Sequence, residues 1–89
     1  MTLQVVKAEL NDRQGVVIVQ GATQEEVLSS AAKNLVLQAA AQGGLSRPGL
    51  SGGESAYPVD ANGETDDALI LGRGTVAGYR CEFRVTGGL

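Results

Sequence analysis

The 89-residue chain has no histidine and no tryptophan, and only one cysteine, one methionine and one phenylalanine. Each scarcity closes a class of chemistry. Without histidine there is no Ser-His or Cys-His nucleophile pair and no imidazole metal site. A single cysteine, Cys81, excludes an internal disulfide and a cysteine-built metal centre. No cofactor is expected. Basic residues are few: seven Lys and Arg against ten Asp and Glu give a net charge of −3. Binding to nucleic acid or to an anionic membrane depends on clustered positive charge, so neither is an expected partner. No apolar run reaches the roughly 18 residues of a membrane span. The first residues, MTLQVVKAEL, lack the basic-then-apolar pattern of a signal peptide. The expected location is the cytoplasm of the producing cell, or a virion if the chain is phage-encoded.

Aliphatic residues must supply the core, because only Tyr57, Tyr79 and Phe83 are aromatic. One domain of this length buries about 60–65% of the surface its unfolded chain exposes. Thirteen glycines add to the entropy lost on folding. A modest core of this kind favours self-association or incorporation into something larger.

Residues 2–10 alternate as a strand, with Val6, Ala8 and Leu10 on one side and Lys7 and Glu9 on the other. A polar run from Asn11 to Gly15 then reads as a hairpin loop, and Val16 to Gln20 as a second, well-buried strand. Thr23 and Glu26 form a T-x-x-E capping box, opening a helix expected to run from Gln24 to Gln42 and to stop at Gly43-Gly44. Its apolar face collects Val27, Leu28, Ala31, Ala32, Leu35, Val36 and Ala39. Leu37 falls on the polar side, flanked by Ala40 and Ala41. It is either a scattered apolar residue or a contact patch for a second subunit.

Residues 43–67 are rich in Gly, Ser, Pro and acids and read as one long irregular loop, which Leu45, Leu50, Tyr57 and Val59 are expected to tack onto the body of the domain. Ala68 to Leu71 is a short apolar run expected as a strand. Residues 79–86 alternate cleanly: Tyr79, Cys81, Phe83 and Val85 face one way, Arg80, Glu82, Arg84 and Thr86 the other. The fold class is therefore α+β: one small domain in β-β-α-β-β order, a mainly antiparallel sheet with a helix across it.

Candidate chemistry is sparse. Glu54, Asp60, Glu64, Asp66 and Asp67 make an acidic loop that could attract a divalent cation, although Thr65 and Leu71 stand where a calcium loop requires Gly and Glu. Gly72, Gly74 and Gly78 miss the spacing of a phosphate-binding loop and precede a strand, so a Gly-rich turn suffices. Arg80 and Arg84, with Glu82 between them, either meet an acidic partner or form a cross-strand charge ladder.

The passage from Gly15 through Glu26, GVVIVQGATQEE, with the Ala-rich helix behind it, resembles the strand-to-helix passage of HicB-type antitoxins. The resemblance covers about 25 residues, has Val27 where that family usually has Ala, and lacks its Pro-x-x-Pro-Gly run. It implies a partly degraded RNase-H-like or dsRBD-like fold and a regulatory role, and transfers no site residues.

The functional expectation is a non-catalytic structural or assembly protein, a small accessory component of a symmetric particle such as a bacteriophage virion. The expected contact residues are Leu37, Ala40, Ala41, Tyr57, Arg80 and Arg84. The alternatives are a regulatory module, such as an antitoxin or an enzyme or nuclease inhibitor, and a divalent-metal domain built on the acidic loop.

Overall fold

The computed structural model describes residues 3–51 and 54–87. Strands β1 (Gln4–Leu10) and β2 (Gln14–Gly21) form the expected hairpin. The side chain of Asn11 closes its turn by accepting from the amides of Arg13 and Gln14, both at 2.9 Å. β2 pairs along its whole length with β5 (Gly78–Thr86), which lies at the centre of the sheet. The far side of β5 carries two short strands in succession, β3 (Gly49–Leu50) and β4 (Ser55–Val59). Every pairing is antiparallel. The α+β class and the single antiparallel sheet agree with expectation.

Three segments differ from it. Residues 43–67 are not one irregular loop: they supply the sheet edge opposite β1. That edge is broken, because from Leu50 to Ser55 it advances five positions while β5 advances three. Ala68–Leu71 is not a strand. Asp66 caps a helical turn, α3 (Asp67–Ile70), by accepting from the amide of Leu69 at 3.0 Å. Gly72, at φ +78°, ends it in a Schellman motif: the Gly72 amide bonds to the Leu69 carbonyl and the Arg73 amide to that of Ala68.

The expected long helix is two. Thr23 caps α1 (Gln24–Val27) through the Glu26 amide, but the chain leaves the helix at Leu28. Ser29 is extended and caps a fresh start, α2 (Ser30–Gln42), accepting from the amide of Ala32. The restart sets a new phase. Ala32, Val36 and Ala40 are buried, whereas Leu28 and Ala31 are exposed. α2 ends as the glycine pair requires: Gly44 has φ +104° and Leu45 bonds back to the Ala40 carbonyl.

One face of the sheet carries both helices. The core there joins Val17 and Val19 of β2, Cys81, Phe83 and Val85 of β5, and Val27, Ala32, Val36, Ala40 and Leu45. The alternation of β5 therefore points as expected. Leu10 closes the hairpin end, lying against Gly15 and Gly43, where a Cβ on either glycine would collide with it. Val59 and Leu69 are buried outside this core. They belong to β4 and α3, which pack together as a second, smaller apolar contact.

Candidate interaction surfaces

The face of the sheet opposite α2 is lined by alternate residues of each strand. The pairing registers place Lys7, Ile18, Glu82 and Ser55 in one row, and Glu9, Val16 and Arg84 in the next. A third row holds Gln4, Gln20, Arg80 and Tyr57. Half-buried Val16 and Ile18 thus form a central aliphatic strip. Charges of opposite sign stand across it, Lys7 facing Glu82 and Glu9 facing Arg84. Arg84 thus has an acidic counterpart on this face and Arg80 does not, its row holding only Gln4, Gln20 and Tyr57.

Tyr57, Arg80 and Arg84 do share this face, in different circumstances. Arg84 is exposed. Arg80 is half-buried: its Nε donates to Gln20 Oε1 at 2.7 Å, and its guanidinium packs against Gly63, where a Cβ would collide with it. Tyr57 lies beside it, its phenol pushed above its ordinary value by burial, against the opposing pull of Arg80. Glu9 raises the pKa of Lys7, through a 2.9 Å ion pair along β1.

The expected helix patch is not a surface. Ala40 is fully buried, Leu37 is half-buried and Ala41 is exposed. The restart at Ser29 turns Ala40 toward Leu45 and the core, so these three residues do not form one contact.

The acids do not act as a cluster. Glu54 lies 3.6 Å from Lys33, tying the broken edge to α2. Asp60 Oδ1 accepts from the amides of Asn62 (2.8 Å) and Glu64 (3.0 Å), and Asp66 Oδ1 from that of Leu69. The Thr65 hydroxyl donates to the Pro58 carbonyl. Asp60 and Asp66 border a hollow of about 380 Å³, large enough for a small molecule. Each nevertheless has one oxygen committed to holding its own loop. Among the described residues no three acids or cysteines are grouped to hold a metal ion.

Among the described residues, the most exposed large apolar side chains lie where no contact was expected. Ile70 and Leu71 are 61% and 67% exposed, and Val76 in the following loop is 38% exposed. Ile70 and Leu71 are consecutive because α3 buries only Leu69, and the turn that anchors it displays its neighbours. The signal was the capping residue Asp66 ahead of an apolar run, which marks a helix start.

Cys81 sits in the core, its thiol pushed from an ordinary 9.0 up to about 11, first by burial and then by Glu54. In the window between those values the unfolded chain has lost the proton and the native chain keeps it. Stability therefore falls as pH rises from about 9 to 11. Only the thiolate reacts, so a disulfide reagent at pH 8 should label the native thiol no faster than the chain unfolds and the denatured thiol at once. Equal rates would show that the core is open at β5.

Among the described residues no helix is long and apolar enough to cross a membrane. Comparison with known proteins finds no family model, no curated protein and no solved structure that matches the chain.

Proposed function

We propose that this chain is a non-catalytic protein-binding module whose working state is an assembly. The observation that supports it most is the apolar pair Ile70 and Leu71, held in water by the cap at Asp66, the anchor at Leu69 and the glycine stop at Gly72. Leaving two large aliphatic side chains mostly exposed forgoes roughly 1.5–3 kcal/mol apiece, which a partner surface would recover. Among the described residues no other large apolar side chains are as exposed, and Asp60 and Asp66 beside the hollow each commit an oxygen to loop structure. The narrower expectation of a virion component acquires no further support from the fold.

The test is capture from a native lysate with wild-type and Ile70→Ser/Leu71→Ser baits. Both side chains are exposed, so folding stability should change by less than about 0.5 kcal/mol. The double variant should lose a partner that the wild type holds stoichiometrically. A partner retained undiminished would refute the reading. The partner's nature also separates the two protein-binding forms: one enzyme bound one-to-one is a regulator's target, whereas a many-copy complex is an assembly.

A further inference from the structure

The two edges of the sheet are unequal. The β3–β4 edge is broken in register and carries Pro58, which has no amide hydrogen to offer a neighbour. β1 is seven residues long, with one irregularity between Val5 and Lys7 and an unbroken run from Lys7 to Leu10. The Asn11 amide bonds to the Gln14 carbonyl at 2.8 Å. Alternation along an antiparallel ladder then turns Glu9 and Lys7 toward β2 and directs the amides and carbonyls of Ala8 and Leu10 outward. This is an open template for one more strand.

We infer that the added strand is β1 of a second copy of this chain, paired antiparallel about a two-fold axis at Ala8. The argument is one of charge and register. Pairing that keeps both sheets continuous must set residues of the same face opposite each other, so the registers available differ by steps of two. Centred on Lys7, the pairing opposes lysine to lysine. Centred on Glu9, it opposes glutamate to glutamate. Centred on Ala8, it sets Lys7 against the partner's Glu9 and Glu9 against the partner's Lys7, twice over by symmetry. The charges that discourage other strands from this edge thus select one arrangement of the chain with itself. Both side chains are well exposed, 57% and 69%, and available for the exchange.

The alternation supports the same register. Ala8 opposite the partner's Ala8 becomes a hydrogen-bonded pair, and the two Lys–Glu pairs fall at the flanking non-bonded positions, where side chains approach most closely. On the helical face, α2 lies over β1 and β2. From the seam it is half a strand spacing to β1 and another half to the helix axis between β1 and β2, so the two copies of α2 lie about 10 Å apart, the distance at which helices pack. The flank of α2 that meets its equivalent borders an open groove of about 480 Å³ with Leu3 and Val5. It presents Leu35, Gln38, Ala39 and Gln42, with no charge to be buried. This contact is separate from Ile70 and Leu71 and does not depend on them.

The experiment is sedimentation equilibrium of the full chain from about 1 μM to about 1 mM, the range of small interfaces. The wild type should form a dimer. Lys7→Glu and Glu9→Lys, each folded by circular dichroism, should each weaken it by on the order of tenfold or more. An equimolar mixture of the two variants should restore the dimer, because each supplies the charge the other needs. In a Cys81→Ser background, Ala8→Cys should form a disulfide dimer on mild oxidation, since bonded pairs hold their Cα atoms about 5.5 Å apart. Glu9→Cys should not, being two residues out of register with itself. A wild type that stays monomeric at 1 mM, a dimer indifferent to both charge reversals, or a mixture that fails to associate would each overturn the inference. None of these results bears on the lysate capture that tests Ile70 and Leu71.

Discussion

Phe83→Ala is expected to lower the urea midpoint by at least about a quarter, and to abolish cooperative unfolding if the wild type lies at the low end of domain stability. Phe83 is the one phenylalanine and is 1% exposed at the middle of β5. It faces Val17 across the β2–β5 pairing and lies in the cluster with Val36 and Ala40. Truncating a buried phenylalanine costs about 3–5 kcal/mol. At 0.05–0.15 kcal/mol per residue, a domain of this length holds about 4–13 kcal/mol in all. One side chain thus carries a large share, because the rest of the core is Val, Ala, Leu and Cys. Arg84→Ala, one position away on the opposite face, is the control and should change stability by less than about 0.5 kcal/mol. A Phe83→Ala protein within 1 kcal/mol of wild type would show that the helices do not pack on β5 as described.

The second large effect is local. Leu69→Ala should release residues 66–73 while the sheet persists. Leu69 and Val59 are buried outside the main core, so the α3 segment hangs on one small apolar contact, the Asp66 cap and the Asp60 turn. Losing a buried leucine costs about 2–5 kcal/mol, more than so short an element can hold. Amide protection should collapse in 66–73 and stay intact at Val17, Val19 and Phe83, as expected of a sub-global opening. The thermal midpoint should move little. If instead the whole chain unfolds at a much lower temperature, the α3 contact is part of the main core. The variant should also lose whatever binds Ile70 and Leu71, because their presentation depends on the turn that Leu69 anchors.

Local signals were legible where they were strong and uncontested. The β1–β2 hairpin, the Thr23 cap, the Gly43-Gly44 stop and the alternation of β5 all follow from spacing within ten residues. The failures share a cause. Ser29 was hidden inside an apolar helical pattern, so its capping role, and the restart that buries Ala40, could be seen only once the phase changed. Ser55–Val59 is a strand because β5 is there to receive it, and Pro58 is tolerated because that edge has no further neighbour. Neither fact is local. Ala68–Leu71 reads as a strand from its apolar run alone, and the cap at Asp66 makes it a helical turn instead. Of the expected contact residues, Tyr57, Arg80 and Arg84 fell on one face because alternation with β5 is robust. Leu37, Ala40 and Ala41 separated because helical phase is not. The exposed pair Ile70 and Leu71 escaped notice because an apolar run invites burial, and only the fold shows which member of it is buried.

The most direct measurement is hydrogen exchange of the chain isolated in its native complex, compared peptide by peptide with the purified chain. The account predicts slowed exchange concentrated in residues 67–77, around Ile70, Leu71 and Val76. A complex in which that segment exchanges as fast as in the purified chain, or a chain that enters no complex, would contradict it.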